Sequence, residues 1–99
     1  MEEETQISSP FNFPCALAML KDGHKLTRSG WNGKGMYIYF VPENNYPAQT
    51  EIARAEFGDM VPYGSYIAMK TAQGNVIPWV ASHTDLLSND WEVITEDNK

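Results

Sequence analysis

Apolar residues recur at Phe13, Ala16, Leu17 and Leu20, the steps of three, four and seven that line one face of a helix. Asn12 stands where an N-cap belongs, Pro14 is tolerated in the first turn, and Gly23 suits the position just past the last turn. Lys21 complements the negative end of the helix dipole, and Phe11 can staple the helix start. The pattern predicts an amphipathic helix whose stripe packs on a sheet. Cys15 lies among these apolar residues and is expected to act as a small buried hydrophobe.

The period then changes to two. Lys25 to Arg28 is expected as a short strand. Ser29 to Lys34 contains Asn32-Gly33, a strong short-range signal for a hairpin turn because both residues accept positive φ. Gly35 to Val41 is the clearest strand, with Met36, Ile38 and Phe40 on one face and Tyr37, Tyr39 and Val41 on the other. One face covers the core, and the second is free to meet another chain. Pro42 to Pro62 breaks the pattern with three prolines and a weakly helical piece from Thr50 to Phe57, and is expected as an excursion off the sheet. Tyr63 to Thr71 resumes as a strand, Ala72 to Asn75 turns, and Val76 to Val80 pairs back, with Pro78 placing it at an edge. Ser82 and Asp85 match a capping box opening a short helix through Leu86 and Leu87. Trp91 to Ile94 is expected as the last strand. The fold class is therefore α+β, a small, mainly antiparallel sheet with an N-terminal helix packed on one face and a short C-terminal helix.

With 99 residues the chain is expected to be one domain over residues 9–96, with flexible tails at 1–8 and 97–99. Three tryptophans, five tyrosines and four phenylalanines supply much of the burial that so small a domain needs, and association into an oligomer would supply more. A net charge of −6 repels polyanions, so long nucleic acid is not an expected partner. A small nucleotide remains open to it, because a few local donors suffice. The single cysteine cannot form an internal disulfide, which points to a reducing cytoplasm. No stretch approaches the roughly 20 apolar residues of a membrane span, and the acidic start is unlike a secretory signal.

Sites of chemistry are sparse. There is no Walker loop and no zinc-protease pattern. Gly30, Gly33 and Gly35 lie between strands rather than before a helix, where a hairpin accounts for them. His24 and His83 have no ligand spacing around them, so no metal and no cofactor is expected. Asp85 and Asp90 suit either paired acid–base work or, more simply, a helix cap and the ordering of a turn. The composition is that of a binder more than a catalyst.

Two segments carry the remaining signal. Trp31-x-Gly33-Lys34-Gly35-Met36, followed much later by Pro78-Trp79-x-Ala81-Ser82-x-Thr84-Asp85-x-Leu87 and Asp90-Trp91, resembles the second Thoeris anti-defence family of small phage proteins. The resemblance covers Phe11 to Ile94, and its departures lie in the Pro42–Pro62 excursion, which bears on ligand choice. It implies a sponge acting in the cytoplasm of the infected bacterial host. Such a protein holds cyclic nucleotide-like immune signals, notably glycocyclic ADP-ribose and in some members cyclic dinucleotides, without cleaving them. It also implies a homotetramer with pockets at subunit contacts. The residues expected to face such a ligand are Trp31 with Trp79 or Tyr39 as an aromatic wall. Arg28, Lys34 and the amides near Gly33 are the expected pyrophosphate donors, and Asn32, Ser82, Thr84 and Asp85 the groups for ribose. Two other readings suit the same residues: a hydrolase of the same signal, and a module that binds a host protein through the Tyr37/Tyr39 face.

Overall fold

The computed structural model describes residues 10–95, so the tails expected at 1–8 and 97–99 lie outside the described residues. The elements run α1 (Phe13–Lys21), β1 (Lys25–Arg28), β2 (Tyr37–Val41), β3 (Asn44–Pro47), α2 (Glu51–Phe57), β4 (Met60–Tyr63), β5 (Tyr66–Lys70), β6 (Val76–Pro78), α3 (His83–Leu87) and β7 (Trp91–Ile94). Five strands form one antiparallel sheet in the order β6-β5-β2-β1-β7, with the Pro78-bearing β6 at an edge. The α+β architecture is the one its periodicity predicts.

Local signals explain most of the elements. The Asn12 side chain accepts from the Cys15 N–H at 3.1 Å, a cap whose removal costs about 1 kcal/mol. Gly23 follows the helix with a φ of 98°, and the Gly23 N–H donates to the Leu20 carbonyl. Ala16 and Leu20 are buried beneath α1, where they meet Leu26, Ile38, Met69 and Trp91 from the sheet. Fully burying each of Leu20, Leu26 and Ile38 stabilises the fold by roughly 1.5–3 kcal/mol. Cys15 is exposed, against expectation. The 100° step of the helix turns it away from the stripe defined by its neighbours.

Strand register divides the sheet into two faces. Leu26, Ile38, Met69, Ile77 and Val93 pair across neighbouring strands and share the face beneath α1. Tyr37, Tyr39, Val41, Tyr66 and Lys70 fall on the opposite face, which no helix covers among the main contacts of the described elements. The Asn32-Gly33 expectation needs correction. β1 and β2 do pair, but among the described residues no non-glycine residue has positive φ, and the connection runs from Ser29 to Met36 as a wide loop. Gly35, with φ 77°, takes the left-handed position instead.

The excursion is more regular than its composition suggests. β3 and β4 pair as a two-stranded ribbon, with α2 between them capped by the Thr50 side chain. The strand expected over Tyr63–Thr71 is broken at Gly64 and Ser65, because Tyr63 belongs to the ribbon and Tyr66 to the main sheet. Pro62 opposite Asn45 is tolerated because a two-stranded ribbon has two free edges. The molecule measures 48 × 30 × 25 Å along its principal axes.

Candidate functional site

The two motif segments meet at one end of the α1-covered face. β1 delivers Arg28, the wide loop delivers Trp31, α3 delivers Asp85, and β7 begins with Asp90 and Trp91 beside it. Asp85 is the hub. Its Oδ1 accepts from the Arg28 Nη1 at 2.7 Å and from the Trp31 indole N–H at 3.2 Å. Its Oδ2 accepts from the Ser82 N–H at 3.0 Å, while the Ser82 hydroxyl accepts from the Asp85 N–H at 3.0 Å, completing the capping box. Its backbone carbonyl accepts from the Trp91 indole N–H at 3.1 Å.

Arg28 bridges two carboxylates, because its Nε also donates to Asp90 Oδ1 at 2.8 Å. Asp90 Oδ2 accepts from the Gly30 N–H at 2.9 Å. A Cβ at Gly30 would come within 2.8 Å of that carboxylate and 3.2 Å of the guanidinium, so any larger residue would have to shift the clamp. The hydrogen bond to Asp90 is the largest influence raising the Arg28 pKa above its ordinary value, with burial opposing it. Burial pushes the Asp85 carboxyl up, but hydrogen bonds from Ser82, Arg28 and Trp31 outweigh it and hold the group below the usual carboxylate range. The Arg28 hydrogen bond lowers Asp90 likewise. Both carboxylates are therefore anionic at neutral pH. In the fold Asp85 caps α3 and Asp90 anchors the turn at Gly30.

This charged clamp holds an aromatic cluster. Trp31 meets Trp91 edge-on at 5.4 Å and Trp79 at 6.4 Å, Trp79 meets Trp91 at 6.0 Å, and Phe13 of α1 closes the group at 5.5 Å from Trp91. Trp91 is fully buried, whereas Trp31 and Trp79 are only half-buried and present their outer edges. The Trp79 N–H of the backbone donates to the Ile67 carbonyl at 2.9 Å, and its indole N–H has no hydrogen-bond partner among the described residues. Asn32 and Lys34 are exposed on the loop beside this cluster, and Gly33 packs on Met36 and Ala72. Thr84 is exposed in the first turn of α3.

The structure therefore brings Trp31, Trp79, Arg28, Ser82 and Asp85 together and sets Tyr39 apart. Tyr39 lies on the uncovered face beside Tyr37, with ring centroids 6.1 Å apart, so within one chain it does not stand beside Trp31. The period of two already puts Tyr39 opposite Ile38, the signal that separates it from the helix-covered side. Arg28 and Asp85 are committed to each other, with Asp85 only 8% exposed. Asp90, absent from the expected ligand-facing residues, completes the clamp. Among the described residues no group of three or more His, Cys, Asp or Glu side chains could hold a metal ion, and no helix is long and apolar enough to cross a membrane.

Comparison with known proteins follows the same boundaries. The sequence model of the Thoeris anti-defense 2-like domain matches residues 11–94. The chain is also 32% identical over 89 residues to Thoeris anti-defense 2 of Bacillus phage SP01, a match spanning 90% of this chain and 100% of that protein. The matched span takes in every element from α1 to β7, the clamp and the arm. The chain belongs to the Thoeris anti-defense 2-like family, and its broad role is phage anti-defence.

Proposed function

We propose that this chain is a sponge. It captures a cyclic nucleotide-like immune signal of the glycocyclic ADP-ribose class in the cytoplasm of the infected host and holds it uncleaved. One observation carries the reading: the half-buried Trp31–Trp79 pair, packed edge to face at 6.4 Å, is anchored through the Trp31 indole bond to Asp85 of the Arg28–Asp85–Asp90 clamp. Rigid aromatic surface costs little ordering entropy on binding, and base–aromatic stacking contributes about 1–3 kcal/mol per base. The Trp79 indole donor, unpaired among the described residues, and the exposed Asn32, Lys34 and Thr84 supply polar contacts for ribose and pyrophosphate. Arg28 and Asp85 act as positioning residues rather than ligand contacts. A sponge stabilises no transition state, and a site whose acids are ionised and paired suits holding better than hydrolysis. The ligand pockets lie at contacts between copies of the chain, in a homotetramer.

The test is recovery. The protein is incubated with glycocyclic ADP-ribose, separated from free ligand, heat-denatured, and the supernatant is chromatographed. Unchanged ligand released only by denaturation supports the sponge. Altered ligand makes the protein an enzyme, and no retained ligand removes the reading. Thermal shift against cyclic ADP-ribose isomers and cyclic dinucleotides ranks the ligand classes, since native-state binding raises the melting temperature by mass action.

A further inference from the structure

The arm carries apolar groups that its own chain does not cover. Ile52 on α2 is 83% exposed and Phe57 at its end 52% exposed, and Met60 beside them is exposed too. The main packing partner of α2 is β4 of its own ribbon, so the helix sits out on the arm rather than on the main sheet. Burying such groups contributes roughly 25 cal/mol per Å², and a small domain has little reason to display them unpartnered.

The same chain carries an aromatic groove at the base of the arm. One cavity of about 290 Å³ is lined by Val41, Tyr46, Pro47, Gln49, Tyr63 and Tyr66. A second, of about 340 Å³, adds Val76, Ile77 and Pro78 and shares Tyr63 and Tyr66 with the first. The two meet at Tyr63 and Tyr66 and together form a trough from the ribbon to the edge strand β6. Lys70 pairs in register with Val76 at its margin, and Lys25 lies further along the same face, its ammonium 4.9 Å from the Tyr37 ring. The arm is of opposite sign. Glu51 and Glu56 are exposed on α2, while Arg54 spends its charge near Asp59 at 4.0 Å.

We propose that the outer end of the arm of one copy of this chain seats in the Tyr63–Tyr66 trough of a second copy. Ile52 enters the trough, and Glu56, one turn on along the same helix face, meets Lys70. Knob and hole are both present on each chain, so two copies related by a two-fold axis exchange arms and close the contact, leaving neither surface unpaired. Charge complementarity favours a second copy, because Lys70 stands beside Val76 at the trough margin in a chain of net charge −6 and the arm carries exposed Glu51 and Glu56. The proposal rests on the reading that the chain self-associates, and names the surface by which it does so.

Sedimentation of the full chain tests it. The wild type is expected at a multiple of 11.2 kDa. Ile52→Glu on the arm and Val76→Glu in the trough are each expected to weaken association at least tenfold, with circular dichroism unchanged because both sites are exposed. An equimolar mixture of the two variants is expected to form a larger species than either alone, since one intact arm then meets one intact trough. A monomeric wild type, variants of wild-type mass, or a mixture that recovers nothing would each overturn the proposal. Should either glutamate variant misfold, cross-linking of mixed isotope-labelled wild-type chains decides instead. Inter-chain links between arm and trough support the contact, and their absence removes it. Calorimetry on the same samples keeps the two readings apart: an arm-linked assembly that takes up no cyclic nucleotide removes the sponge and leaves this contact standing.

Discussion

The two faces of the sheet are both rich in aromatic residues, yet they spend their polar groups in opposite ways. On the α1 side the Arg28 guanidinium, both carboxylates and two of the three indole N–H groups are satisfied within the chain. On the far side two lysines reach only the ring of Tyr37, at 4.9 and 5.7 Å, with one further hydrogen bond from Lys70 to the Gly35 carbonyl. Among the described residues neither ammonium pairs with a carboxylate. The first arrangement holds shape, and the second keeps charge and apolar surface available. Aromatic content alone does not mark a functional face. What separates the two is whether the polar partners of the rings are used up at home.

The comparison breaks most visibly at its rigid end. Trp91→Ala removes a fully buried indole from the centre of the cluster and is expected to cost about 3–5 kcal/mol, measured as a lowered urea midpoint. Arg28→Ala leaves two facing carboxylates without their cation. It is expected to cost about 3 kcal/mol, the low end for breaking a buried pair because the side chain keeps some exposure. Acid probes the same clamp. Asp85 and Asp90 have pKa values below those of the unfolded chain, so their stabilisation is complete above about pH 4. It is lost as pH falls through the depressed folded values, because protons then bind the unfolded state first. Urea midpoints measured across that acid range are expected to drop steeply for the wild type and less steeply for Arg28→Ala. A parallel drop in both would detach the carboxylates from the clamp.

The open face is expected to respond weakly. Tyr37→Ala should change stability by less than about 1 kcal/mol, since it caps no core residue and its lysine neighbours return to water. The smallest effect concerns Cys15, which is exposed. A thiol reagent is expected to label it fully in the native protein with no loss of helix signal. Protection until unfolding would restore the buried position that its neighbours suggest.

Much of the fold was legible because its signals are local. The Asn12 and Ser82 caps, the Gly23 stop, the turn before Val76 and the strand periods each act within a few residues. The β3–β4 ribbon was not legible, since its pairing joins segments on either side of α2 and its prolines argue against strands. Nor was the clamp, whose partners lie 57 and 62 residues apart in the chain. The two motif segments do meet in the structure, but how their side chains pair was not readable from spacing. Arg28 and Asp85 look like ligand groups in sequence because charge near tryptophan suggests contact with a polar molecule. In the structure Arg28 and Asp85 pair with each other, and Asp85 accepts from the Trp31 and Trp91 indoles.

The most direct measurement is titration calorimetry of glycocyclic ADP-ribose into the wild type and Trp79→Ala, with circular dichroism on both. The account predicts saturable binding to the wild type and at least tenfold weaker binding to the variant, matching the loss of one stacked base worth about 1–3 kcal/mol. Equal affinity in both proteins, or no heat from a folded wild type, would contradict it.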